Sequence, residues 1–362
     1  MCQKHFESGI HFTNPDHPKI IQAIIQKAEQ VCPDSLALIG IYGSVATGDV
    51  HEKSDLDLLI LINDADGQKL CDAFLLRNCG IGYDIYCTTW DMLVEDARCT
   101  HPHLAKLLDS RIVYVKDPSA PARLNTLQKQ ASDLLASDRR YACSDALLRK
   151  AKEVYADCCL ADSVSEARIA AGCCIRLLLD AVMLYHGNYF KRGNKRTFEE
   201  LQQLNLPFSL QEPVAAVIHA CSVRSIQQHL TVLLRLINNH LQHPTKKSSP
   251  APENLGGTYE EMYSNWKNKM SEAADRKDVF SSFTNLLSLQ LMFCELEAEI
   301  ALEPIDTMSA FSPENLPGNT DCFDQALQKY LSVYEKIGLP IREFSDADAF
   351  VKAYLYSDMT DN

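Results

Sequence analysis

A chain of 362 residues is too long for one small core and long enough for two or three domains. Its 46% apolar and 23% charged residues are those of a folded protein with a wet surface, which excludes a disordered or fibrous chain. A formal charge of −13 argues against a broad nucleic-acid-binding face, which needs clustered cations, and permits attraction of a cationic substrate.

MCQKHFESGIHFT reads as a native start, so no basic-plus-apolar leader is expected. The longest apolar stretch noted, IAAGCCIRLLLDAVMLY, is interrupted by Arg176 and Asp180, so no membrane span is expected and the cytoplasm is the expected compartment. Fourteen cysteines occur without a single C-x-x-C spacing. They read as small, reduced core residues rather than zinc ligands or a disulfide framework.

HPKIIQAIIQKAEQV carries apolar residues at helical spacing, and LALIGIYG follows as a buried strand. LDLLILIN reads as a second strand, GQKLCDAFLLRNC as a helix and YDIYCTT as a third strand. HLAKLLD reads as a short helix before RIVYVKD, a fourth strand. Strands alternating with helices over little more than a hundred residues predict a compact α/β (α+β) domain over 1–120. Beyond it the strands stop. RLNTLQKQASDLLAS, SDALLRKAKEVYADCCLAD, SEARIAAGCCIRLLLDAVMLYHG and SIQQHLTVLLRLINNHL repeat apolar residues at i, i+3, i+4 and i+7, which predicts an all-α bundle over 121–245. A Pro-, Ser- and Gly-rich linker is expected at 246–258, followed by a C-terminal helical region over 259–362.

The chemistry concentrates in IYGSVATGDVHEKSDLDLLILIN. Side chains alternate along a strand, so Asp55 and Asp57 point together while Leu56 and Leu58 point to the opposite, buried side. Two adjacent carboxylates repel unless a cation sits between them, and oxygen-only ligands of this kind suit Mg²⁺. Upstream, Gly43 lets the backbone approach a ligand, Ser44 offers a hydroxyl and an amide, and small residues through Thr47 start a helix. A phosphate cradle beside two metal carboxylates reads as a nucleoside triphosphate site. Asp84 in GYDIYC is the candidate third acid, as a metal ligand or proton acceptor, provided its strand lies beside the pair. The ordinary reading of each part alone is a generic turn, a solvated strand end and a surface aspartate.

Gly43-Ser44, a ten-residue gap and Asp55-Leu56-Asp57-Leu58 closely resemble the signature of the polymerase-beta-like nucleotidyltransferase superfamily, over about residues 36 to 90. The order of small catalytic domain and helical bundle is similar to the antibiotic nucleotidyltransferases of kanamycin and streptomycin type. It is also similar to the minimal nucleotidyltransferases found beside HEPN helical proteins. The resemblance implies a short mixed sheet, two Mg²⁺ ions, and transfer of a nucleoside monophosphate from ATP or another NTP with release of pyrophosphate. It implies Asp55, Asp57 and Asp84 as metal and catalytic carboxylates, and Gly43 and Ser44, with Thr47, as phosphate contacts.

Lys191, Arg192, Lys195 and Arg196 form a cationic loop in an acidic chain, read either as a triphosphate contact or as a solvated turn. Arg224–His229 and Arg235–His240 have the R-x4-H spacing of HEPN ribonucleases, a loose pattern that helix-surface pairs explain equally well. Asp145, Glu153, Asp157, Asp162, Glu166 and Asp180 are candidate bundle carboxylates for a general base. The expected acceptor is a small hydroxyl compound, cationic and aminoglycoside-like, or else a protein side chain of toxin–antitoxin type. A protein that binds nucleotide without turnover is the competing class.

Overall fold

The computed structural model describes residues 12, 14–50, 54–243 and 247–356. Two compact units divide the chain, Met1–His243 and Pro244–Asn362.

The first unit opens with α1 (Asp16–Val31), whose Ile21, Ile24, Ile25 and Ala28 form one buried face. β1 (Leu36–Ile41) is buried throughout. A five-residue helix, α2 (Gly43–Thr47), connects it to the extended run leading into β2 (Leu58–Ile62). β3 (Asp72–Leu76) and β4 (Ile81–Ile85) make a separate antiparallel hairpin. β5 (Cys87–Thr89), α3 (Trp90–Ala97), α4 (Ala105–Leu108) and β6 (Arg111–Val115) complete the α/β part. The main sheet runs β5-β2-β1-β6, with β1 antiparallel to both neighbours and β5 parallel to β2, so it is mixed.

Two segments differ from the sequence expectation. DAFLL, expected within a helix, is strand β3, because its residues pair one for one with β4 and Phe74 stacks on Tyr83 at 5.4 Å. YDIYCTT is not one strand: the chain leaves the hairpin after Ile85 and joins the main sheet at Cys87.

Among the described residues six helices follow in this unit: α5 (Ala120–Ala136), α6 (Arg139–Cys159), α7 (Val164–Tyr185), α8 (Thr197–Gln202), α9 (Gln211–His219) and α10 (Val223–His240), with a 3-10 turn at Asn194–Arg196 before α8. The sheet has a core on each face. Leu58, Ile60 and Ile62 pack with α1 and the hairpin. Leu59 and Leu61 belong instead to the core of Leu93, Leu124, Leu178 and Leu230, which is the bundle side. Alternation along β2 therefore carries Asp55 and Asp57 to the bundle face, while Leu56 joins the α1 core.

The second unit contains α11 (Pro252–Leu255), α12 (Thr258–Asp275), α13 (Val279–Glu299), α14 (Leu316–Ile337) and α15 (Ala347–Tyr356). Its core is built from Leu255, Met262, Leu286, Phe293, Phe323 and Tyr330. The stretch expected as a linker is partly ordered: Ser248 bridges to Ile300, and α11 lies within it. Among the described residues α13 is the one helix long and apolar enough to cross a membrane by length and composition. Within its unit it packs through Leu286, Leu289 and Phe293.

Candidate functional site

Gly43 sits at φ +67°, a left-handed conformation that side chains with a β-carbon rarely adopt. Tyr42 donates its amide to the Asp57 carbonyl at 3.1 Å, which ties the turn to the carboxylate segment. α2 is too short to carry much of a helix dipole. What it presents is the Ser44 hydroxyl and its free first amides. Thr47 is turned back on the helix, donating its hydroxyl to the Gly43 carbonyl at 3.0 Å.

Asp55 and Asp57 occupy the extended segment just before β2, with Asp55 exposed and Asp57 half-buried. Burial, and then the charge of Asp55, push the Asp57 carboxyl up to about 6. Among the described residues neither acid forms an ion pair with a Lys, Arg or His side chain. Two carboxylates held together without a protein cation are a donor set that a hard divalent ion satisfies, with waters or phosphate oxygens filling the other positions. No third His, Cys, Asp or Glu joins them among the described residues.

A cavity of about 310 Å³ brings Asp55 and Asp57 together with Gly43, Ser44 and Thr47. Its other wall is the loop before α8, through Arg192, Gly193, Lys195 and Arg196. Arg196 Nη2 bonds Asp49 Oδ1 at 2.8 Å and its Nη1 bonds Glu199 at 2.7 Å. Arg192 approaches the same Asp49 at 3.8 Å. Glu200 fixes the loop from beneath by accepting the Lys191 amide at 2.9 Å.

A second cavity, of about 320 Å³, shares Gly43, Asp57, Arg192 and Gly193 with the first. Tyr42, Tyr86, His103, Lys106, Phe190 and Lys191 also line it. The Tyr42 and Tyr86 hydroxyls are 2.8 Å apart. Burial, and then that contact, raise the Tyr42 phenol above its ordinary value. Lys106 lies 5.8 Å from the Tyr86 ring centroid, and Lys191 lies 5.3 Å from that of Tyr189.

Gly43, Ser44, Thr47, Asp55, Asp57 and Arg192 thus line one cavity and Lys191 the adjoining one. Asp84 does not join them. It is exposed on β4, paired with Ala73, and lines neither cavity, because its strand pairs with β3 in the separate hairpin and takes no place in the main sheet. Of the bundle carboxylates, Asp145 contacts His243 at 2.9 Å, Glu166 closes the N-terminal cap of α7, and Asp180 contacts His103 at 3.2 Å. His240, from one R-x4-H match, stacks on His186 with their Nε2 atoms 3.0 Å apart, while Arg235 is exposed. Asp49, Tyr42, Tyr86, His103 and Lys106 were not singled out by motif; no spacing pattern marks them.

Residues 20–83 match the nucleotidyltransferase domain family. Over 129 residues the chain is 27% identical to the bifunctional uridylyltransferase/uridylyl-removing enzyme of Pseudomonas entomophila (strain L48). That match covers 34% of this chain and 13% of the relative's length. A solved nucleotidyltransferase-like protein from Exiguobacterium sibiricum 255-15 is 12% identical and aligns with TM-score 0.31, over 76% of this chain and 90% of that one. With the Gly43-Ser44 turn facing Asp55 and Asp57 inside the matched segment, the chain carries a polymerase-beta-like nucleotidyltransferase domain at residues 20–83.

Proposed function

We propose that the protein transfers a nucleoside monophosphate from a metal-bound NTP to a hydroxyl, releasing pyrophosphate. The observation that carries this reading is one cavity in which two carboxylates, without an ion pair among the described residues, face the Gly43-Ser44 turn and three loop cations. Asp55 and Asp57 would hold the divalent ion, which supplies charge neutralisation at the α-phosphate when bound. Ser44 and the free amides of α2 bind phosphate oxygens, and Arg192, Lys195 and Arg196 neutralise the outgoing pyrophosphate. Asp84 has no part in this arrangement.

The donor expected from the motif is ATP. The name of the Pseudomonas relative makes UTP the second donor to test. On the acceptor side the lining disfavours the aminoglycoside-like compound. Lys106, Lys191 and Arg192 line that cavity, and its carboxylate, Asp57, would already be engaged as a metal ligand. A polycation would be repelled by those ammonium and guanidinium groups, whereas a neutral or anionic hydroxyl compound would not. A protein hydroxyl is the alternative acceptor. The thirteen described cysteines are all free, in keeping with a reducing compartment such as the cytoplasm.

The test uses α-labelled ATP and UTP with Mg²⁺, alone and with extracts separated into small-molecule and protein fractions. Label should move with wild type and not with Asp55→Asn or Asp57→Asn. Equal transfer by the variants would overturn the carboxylate assignment.

A further inference from the structure

The second cavity holds a histidine–aspartate contact that the donor site does not use. Asp180 lies in the middle of α7, in the apolar run LLLDAVML, and is buried. A carboxylate there is costly without a partner. Its ion-pair partner among the described residues is His103, whose Nε2 lies 3.2 Å from Asp180 Oδ1. The His103 ring also stacks on Phe190, at 5.5 Å between centroids and 22° between planes, and lies 6.0 Å from the His101 ring. Even so, the side chain is 56% exposed, and it lines the cavity with Asp57, Tyr86 and Lys106. A buried acid and an aromatic face thus flank a half-exposed imidazole in the cavity that Asp57 also lines. The Asp180 carboxylate 3.2 Å from Nε2 favours the proton on that nitrogen, which leaves the lone pair on Nδ1 for a ligand.

We propose that His103, oriented by Asp180, is the general base that takes the proton from the acceptor hydroxyl. This rests on the transferase reading above. The acceptor O–H gives its proton to Nδ1 as its oxygen bonds the α-phosphorus. The bond from that phosphorus to the bridging oxygen of the β-phosphate breaks, and pyrophosphate leaves with the electron pair. Asp180 then faces the imidazolium, and the proton passes to solvent. His103 and Phe190 come from separate segments, and the Phe190 amide donates to the Pro102 carbonyl at 2.7 Å. That bond ties the cationic loop to the histidine turn, so acceptor base and phosphate cations are placed together.

The full chain is assayed with Mg²⁺ and α-labelled ATP or UTP, with water and glycerol as probe acceptors. His103→Asn should lower kcat about 50-fold or more while leaving KM for the NTP within about twofold. Asp180→Asn, acting through the ring, should lower kcat about tenfold with the same split. Added imidazole should restore part of the rate to His103→Ala and none to Asp57→Asn. A tie that only holds the fold together would instead lower melting temperature and nucleotide binding in parallel and ignore imidazole; that result overturns the role. An active wild type with His103→Asn within about twofold of it overturns the role alone. A wild type that transfers label to no acceptor overturns the transferase reading and this role with it.

Discussion

A β-carbon on Gly43 would lie 1.9 Å from Oδ2 of Asp57. The glycine is thus required twice, by its left-handed φ and by the carboxylate packed against it. Gly43→Ala should move Asp57 and cost about 2–3 kcal/mol of stability, combining backbone strain with overpacking. Transfer should fall to the level of Asp57→Asn. The check is differential scanning calorimetry beside an activity assay, and a fully active Gly43→Ala would contradict the close approach.

Asp57 also sets a trade between stability and metal binding. Its carboxyl is pushed up to about 6 by burial and by Asp55. A raised acid favours the fold while protonated, so the contribution is present below its ordinary value of 3.8 and lost as pH rises through about 6. After discounting for solvent screening, the metal-free protein at pH 7.5 should carry a penalty of about 1–2 kcal/mol. Asp57→Asn should then melt about 2–6 °C higher than wild type without metal at pH 7.5, with little difference at pH 4.5. Added Mg²⁺ should raise the wild-type transition and leave the variant's unchanged.

Arg196 spans Asp49 and Glu199 at the mouth of the first cavity. Arg196→Ala should raise KM for the NTP about tenfold, the scale of one charge-assisted contact, and change kcat by less than about threefold. Binding should weaken further with salt in the wild type than in the variant. Steady-state kinetics at two ionic strengths decide it.

The His186–His240 pair predicts the opposite pH slope. Burial first, then each other cation for His186, hold both imidazoles below their ordinary value. Folding therefore excludes protons that the unfolded chain binds, and stability is lost as pH falls below about 6.5. Replacing both rings, as His186→Gln with His240→Gln, should flatten the wild-type loss of melting temperature between pH 7.5 and 5.5. An unchanged slope would move the titration elsewhere.

Much of this was readable from local pattern. LALIGI and LLILI announce central strands by unbroken apolar runs, and the bundle helices announce themselves by period. Asp55 and Asp57 were legible because strand alternation fixes their face independently of any partner. Asp84 was not, since its value depended on whether its strand joined the sheet or the hairpin, a non-local choice. DAFLL misled for the same reason: a short apolar run carries no period of its own, and pairing with β4 decided it. The cations behaved alike. Arg196 meets Asp49 across 147 positions, and no spacing rule spans that distance.

The alternation of β2 between two cores also makes the sheet depend on the helices. Leu59 and Leu61 face the bundle as deeply as Ile60 and Ile62 face α1. A chain stopped near residue 120 would keep the carboxylates and the glycine turn, yet uncover one side of the sheet that holds them. Sheet and bundle therefore stand as one folding piece, and any other set of helices placed there would need an equally apolar surface to cover Leu59 and Leu61.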